Sequence, residues 1–438
     1  MYWNKKIIII LTFVICGNCE NMGIKDEKKS NNPLLAVGYF FLANNKSSVS
    51  KQDIVNSYAD IAFTNYSDSV TSASNLKSTI ESFIGTSGVD ITNPSQVNMD
   101  AAKKAWIDAR PSYLQTEIFR FAEGPIDEKL EQRKPEAGIE TLINAWPLDE
   151  LFVDCIIANT TNSNLTEANI LNVNTSISTS NCLSFTSADK NITVGWHAIE
   201  YLLWGQDTDL AAGGSRVLSD FVGGNGTIAE KRRTYLRVIA KLLVDHLTLV
   251  RDKWDPSKPE NIAISFKSNV NASLTKIFTG LAAFTKSEWG AQRLNMITSN
   301  DQEDEHSCFS DNTKADFYYD AQGFINVYNG TYKKSNGTIY SGAGIKNLAG
   351  GLDSSITTNM SLTRDNFCLN VSGANMALDS TSCASGTISG KFDQLVSNGT
   401  ASSQMSILKS VQTAVITIAA NIQTVAKNNG ISFSAPTE

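Results

Sequence analysis

The 438-residue chain contains three histidines, and one of them stands in a pattern suited to chemistry. In Gly195-Trp196-His197-Ala198-Ile199-Glu200 an imidazole and a carboxylate are one helical turn apart, on the same helix face. Helix bundles use such His/Glu pairs to hold metal ions, with further carboxylates coming from neighbouring helices. The same spacing also suits a His–Glu hydrogen bond at a buried helix contact, and spacing alone leaves both readings open. His246, set among Leu243, Leu247 and Val250, reads as a core histidine.

A second candidate set lies upstream. Trp106, Arg110, Tyr113, Glu117 and Arg120 recur at three- and four-residue steps and so form one stripe of a helix, beside an apolar face of Ile107, Leu114, Ile118 and Phe121. Glu117 is a candidate carboxylate ligand, with Arg110 or Arg120 supporting it or meeting an anion. A buried salt-bridge network explains the same stripe. The third set is the acidic run at residues 301–312, which contains Glu305, His306 and Cys308; acids with imidazole and thiol suit a cation. Charge runs are usually solvated, but Phe309, Phe317 and Tyr318 follow and point to packing.

Several chemistries are missing from the sequence. It has no H-E-x-x-H, and the inverted H-x-x-E-H fails because Tyr201 follows Glu200. Neither G-x-S-x-G, nor a Walker A loop, nor G-x-G-x-x-G occurs, which removes the usual hydrolase, nucleotide and dinucleotide signatures. The formal charge is −7, from 37 basic and 44 acidic residues, and no long Lys/Arg run is present. Nucleic acid is therefore not an expected partner. Hydrophobic residues make up 42% of the chain, enough for a folded core.

These residues need rigid elements to position them, and the periodicity is helical. Residues 406–427 place Leu408, Val411, Val415, Ile418, Ile422 and Val425 on one face. Residues 229–254 and 100–121 repeat the pattern, and Pro147, Asp149 and Glu150 read as the start of a helix through Ile157. Shorter helices are expected near residues 51–73, 193–204 and 273–298. No sustained period-two pattern occurs, so the fold class is all-α. Residues 159–190, 211–227 and 329–401 are rich in Gly, Ser and Asn and read as loops. The organisation predicted is two helical-bundle domains, 34–212 and 228–438.

The N-terminus reads as an address. Lys5 and Lys6 precede an apolar run that ends at Cys16-Gly17-Asn18-Cys19, which predicts a signal peptide over residues 1–18. Cys19 resembles the acylated cysteine of a bacterial lipobox, with residues 19–33 as the tether. Past this leader, no stretch reaches the roughly 18 consecutive apolar residues that span a bilayer. An exported chain can form disulfides; Cys368–Cys383 is the first pair expected, Cys155–Cys182 could close the insert between them, and Cys308 is left free, but sequence alone leaves the connectivity open.

Taken together, the motifs resemble the imelysin family, which includes iron-regulated protein A-type lipoproteins. The resemblance rests on Gly195-x-His197-x-x-Glu200 running into Tyr201-Leu202-Leu203-Trp204-Gly205-Gln206-Asp207. It also rests on the Trp106–Phe121 stripe with Gly124-Pro125-Ile126-Asp127, on Asn144-Ala145-Trp146-Pro147-Leu148-Asp149-Glu150, on Arg232-Arg233-Thr234-Tyr235-Leu236 and on the run from Gln302 to Thr313. It implies two helical bundles with the motif near their junction, and an exported protein associated with iron acquisition. It also implies peptidase activity, although the motif holds one histidine where metallopeptidases use two.

The expected function is thus a lipid-anchored protein of the bacterial envelope that binds a metal ion or an iron complex through His197, Glu200 and Glu117. Arg110, Tyr113, Arg120, Asp149, Glu305 and His306 are the expected supporting residues. Hard carboxylates with an imidazole suit iron or zinc rather than copper(I). The alternatives are a metallopeptidase using the same residues and a non-catalytic interaction module; the identity of a protein partner is not legible.

Overall fold

The computed structural model describes residues 49–128, 138–171, 182, 190–210, 212–294, 305–367, 392–397 and 403–434. The expected signal peptide, Cys19, its tether, the Cys368–Cys383 pair and residues 301–304 lie outside them.

The fold is all-α. Helix α1, Lys51–Ile84, opens with a capping box in which Ser50 Oγ accepts from Asp53 N at 3.1 Å and Asp53 Oδ2 accepts from Ser50 N at 2.9 Å. It runs well past the 51–73 expected. Its polar second half keeps a buried stripe of Ala73, Leu76, Ile80 and Phe83, while hydroxyls such as Ser74 Oγ bond back to the carbonyl one turn earlier. Composition misled there because one face suffices for burial.

The short β1 (Gly85–Thr86) and β2 (Val89–Asp90) pair as an antiparallel hairpin. Helix α2, Gln96–Leu114, stops earlier than residue 121. Thr116 N bonds to Tyr113 O at 2.7 Å, and Glu117–Phe119 form a 3-10 turn. Glu117 and Arg120 therefore leave the expected stripe. The reason is tertiary: a later helix crosses here so closely that a Cβ on its Gly323 would lie 2.6 Å from Gln115 O.

Helix α3, Glu150–Asn159, begins three residues after Pro147, with Asp149 as its N-cap accepting from Phe152 N at 3.2 Å. Helix α4, Trp196–Trp204, and helix α5, Ile228–Trp254, match their sequence patterns closely. Helix α6, Val270–Ala283, continues directly into a π-helix, Phe284–Arg293. Helix α7, Thr313–Asn329, leads to the antiparallel hairpin of β3 (Thr331–Lys333) and β4 (Ile339–Ser341). Helix α8, Asp353–Asp365, lies in a stretch that composition assigned to loops, and helix α9, Ser403–Asn428, completes the fold.

Helix α1 packs along both α2 and α5, which the sequence reading assigned to opposite halves, and α4 sits between α2 and α5. Helix α9 lies against α6, the π-helix and α8. Its segment Gln404–Asn428 is long and apolar enough to cross a membrane, yet Val411, Val415, Ile418 and Ile422 are buried in the core. Cys155 and Cys182 form a disulfide with a Cα separation of 5.7 Å, and Cys308 is a buried free thiol.

Candidate metal centre

All nine residues of α4 are buried, so its motif is an interior feature. Gly195 precedes it at φ +95, and a Cβ there would lie 2.5 Å from the carbonyl oxygen of Ile143. Trp196 N donates to that same carbonyl at 2.8 Å. The glycine is thus demanded twice, by backbone conformation and by close approach.

His197 and Glu200 do share a face, and they bond to each other, with Nδ1 and Oε2 2.7 Å apart. The other oxygen of Glu200, Oε1, accepts from Ser310 N at 2.9 Å and from Ser310 Oγ at 2.6 Å. Both carboxylate oxygens are therefore committed. Nε2 of His197 is buried and has no hydrogen-bond partner. Burial, and next the Arg110 guanidinium, push the His197 imidazole well below its ordinary value. Burial pushes the Glu200 carboxyl up to about 8, against the bonds from Ser310.

A second histidine faces the first. The ring of His306 is 5.3 Å from that of His197, nearly perpendicular, and Trp146 lies 4.9 Å from His197 on another side. His306 repeats the arrangement, with Nδ1 2.6 Å from Asp316 Oδ2 on α7. Asp316 Oδ2 also accepts from Arg110 Nη2 at 2.6 Å and from Ser307 Oγ at 2.6 Å, and its Oδ1 from Asn312 Nδ2 at 3.0 Å. Against the cost of burial, Arg110 and His306 hold the Asp316 carboxyl well below the usual carboxylate range. Burial pushes His306 down to about 3. Both imidazoles are thus neutral near pH 7, with Nδ1 occupied and Nε2 as the remaining ring nitrogen.

Arg110 is the girder of this arrangement. It is fully buried, its guanidinium lies over Trp106, Tyr113 and Trp196 at 5.3, 5.6 and 5.5 Å, and its Nη1 donates to Asn144 Oδ1 at 2.6 Å. Aromatic faces and two oxygen acceptors together offset the cost of an interior charge.

His306 also lines a cavity of about 400 Å³, together with Trp146, Arg120, Glu140, Glu288 and Arg293. Glu117 lies behind this wall, bonded to Arg293 and to Arg120 Nη1 at 2.8 Å. Arg293 Nη1 also meets Asp320 Oδ2 at 2.5 Å, and Arg120 lies 3.5 Å from Glu140. Glu288 Oε1 accepts from Arg120 and Arg293, each at 3.1 Å. Glu288 and Arg293 are five residues apart and come into register because the π-helix closes its bonds over five residues. Two guanidiniums therefore serve four carboxylates. Despite burial, Arg120 and Arg293 hold Glu117 well below the carboxylate range, while burial pushes Glu140 up.

Of the residues expected from sequence, the structure gathers His197, Glu200, His306 and Arg110 into one network, with Tyr113 packed on Arg110. Arg120 belongs to the ion-paired wall, and Glu117 stands behind it, bonded to Arg120 and Arg293. Asp149 serves as the α3 cap, and Glu305 turns toward a separate acidic group. Asn144 and Ser310 were read only as members of longer motifs, and Asp316, Glu140, Glu288, Arg293 and Asp320 escaped sequence reading. A buried Asp pair one turn apart on the aromatic-rich α7 was the available signal.

The donor set fits a metal ion. A carboxylate on Nδ1 fixes the tautomer that leaves Nε2 a lone pair, the usual support of a metal-bound histidine. An orphaned buried Nε2 costs free energy unless something binds it.

The model of a peptidase family described as imelysin matches residues 62–368. A solved structure described as an iron-regulated protein A precursor from Parabacteroides distasonis ATCC 8503 is similar in fold, with a TM-score of 0.58 and 16% identity. That similarity covers 87% of this chain and 97% of the other. Among curated proteins, no sequence matches this one.

Proposed function

Because the chain belongs to the imelysin family, we propose that it is an iron-related, non-enzymatic protein that holds a metal ion through Nε2 of His197, with His306 as the second imidazole. The single observation that carries this reading is the buried, unpartnered Nε2 of an imidazole whose Nδ1 is held by Glu200. Glu200 and Asp316 are then supports rather than ligands, and carboxylates of the cavity wall, Glu140 and Glu288, complete a hard donor environment. A bound ion would offset the excess of carboxylates over guanidiniums there. Iron is the favoured metal, since the similar solved structure is described as iron-regulated; zinc fits the same donors. The expected leader and the lipobox-like Cys19 support a role at the bacterial envelope, on a lipid anchor, in iron uptake.

The test is elemental analysis of protein purified without a metal-affinity column, with the double variant His197→Ala/His306→Ala alongside. The wild type is expected to carry or take up metal, and the variant to lose it while keeping its helical circular dichroism. Equal metal content in both proteins ends the proposal. The peptidase alternative draws on Glu140, a carboxyl raised by burial on the same cavity wall and so suited to proton transfer. Chelator-sensitive cleavage of a peptide library, lost in Glu140→Gln with metal retained, would favour it.

A further inference from the structure

The segment between Glu305 and Asp316 faces two ways. His306, Ser307 and Asp316 turn to the histidine centre, whereas Glu305, Cys308 and Asp311 turn toward a different group. There Asp393, on the short helix Phe392–Ser397, comes close to Asp207, which follows α4. Ligand atoms of Glu305, Asp311 and Asp393 all lie within 4.8 Å of one another, and so do those of Asp207, Cys308 and Asp393. The two triads share Asp393.

We propose that Asp207, Glu305, Asp311 and Asp393 form a second cation site, independent of the histidines, that takes calcium. Within each triad the ligand atoms are close enough to share one ion at calcium–oxygen distances of about 2.3–2.6 Å, and Asp393, common to both, would join the two triads around it. Donor chemistry points the same way, because four carboxylates are hard ligands and the one sulfur is a minority.

The acids alone would not make a site, but two of their buried oxygens face another carboxyl and have no N–H or hydroxyl donor. Glu305 is fully buried, with Oε1 accepting from Thr313 Oγ1 at 2.8 Å; Oε2 has no N–H or hydroxyl donor, and the group close to this carboxyl is the Asp393 carboxyl. Asp207 is 8% exposed; its Oδ1 accepts from Asp209 N at 2.9 Å, and its Oδ2 has no N–H or hydroxyl donor, with the Asp393 carboxyl beside the group. Neither residue has a Lys or Arg within ion-pair distance among the described residues, unlike every carboxylate of the cavity wall. Burial, followed by the nearby Asp393 and Asp311, pushes Asp207 up to about 7, a sign of crowding that a divalent cation would relieve.

The consequence is structural. A cation here ties the end of α4, the turn at Cys308–Ser310 and the helix at Phe392–Ser397 together, and Ser310 is the residue that orients Glu200. The second site would brace the first.

The experiment titrates calcium chloride into chelator-treated full chain by calorimetry, with thermal melts alongside. One calcium ion per chain and a higher melting temperature are expected. The variants Glu305→Gln and Asp207→Asn, which ease the repulsion and so should fold, are expected to bind at least about tenfold more weakly. The variant His197→Ala/His306→Ala should keep the calcium response, which separates this proposal from the histidine one. Absence of calcium binding to folded wild type, or equal binding by Glu305→Gln and wild type, overturns it.

Discussion

Nδ1 of His197 lies 2.7 Å from Oε2 of Glu200, and this bond turns the motif's two chemical groups into one unit that presents Nε2. The carboxylate acts by holding the ring, and its own oxygens are spent on His197 and Ser310. Glu200→Gln should therefore weaken metal binding about 10- to 100-fold without unfolding the protein. Metal titration and circular dichroism on the same samples check this. Unchanged affinity would show that Glu200 does not set the ring's tautomer.

Arg110 and Asp316 are both fully buried and paired at 2.6 Å. Arg110→Met leaves the Asp316 charge uncompensated and should cost about 3–5 kcal/mol. The double variant Arg110→Met/Asp316→Asn should recover part of that loss. Urea denaturation of the four proteins in the cycle measures the coupling; strict additivity would contradict the pairing.

His306 is held down to about 3 by burial, so the folded protein refuses a proton that the unfolded chain accepts below about 6.5. The unfolded state binds more protons in that window, so this group's contribution to stability falls as pH drops from 6.5 toward 3. Relative to wild type, His306→Gln should gain about 1.4 kcal/mol per pH unit over that range. Denaturation at pH 7 and pH 5 reads the difference. A gap between the two proteins that does not change with pH would refute the burial argument.

Gly195→Ala combines a positive φ of +95 with a Cβ placed 2.5 Å from Ile143 O. A loss of at least about 1–3 kcal/mol is expected from the backbone strain alone. Gly337, also at positive φ but with open space around it, is the control. Gly337→Ala should cost clearly less in the same thermal melts. Equal losses would remove the role assigned to close approach.

What the sequence determined by itself was whatever local periodicity encodes. Helices α4, α5 and α9 follow directly from apolar spacing, because a helix face is a fixed function of position along the chain. For the same reason His197 and Glu200 could be set on one face, whereas the pairing of Cys155 with Cys182 was one of several that the cysteine positions allowed. Helix α8 and the second half of α1 were hidden by polar composition, since a single buried stripe is enough to hold such helices.

Tertiary structure alone decided the rest. No spacing rule relates His197 to His306, or Arg110 to Asp316, which are 206 residues apart. Whether a carboxylate binds metal or steadies an imidazole depends on what occupies its second oxygen, here Ser310 from a distant turn. The end of α2 at Leu114, the π-helix that aligns Glu288 with Arg293, and the meeting of Asp207 with Asp393 all arise where helices cross. Chemistry of this kind depends on distances of a few ångströms between elements far apart in the chain, and only packing sets those distances.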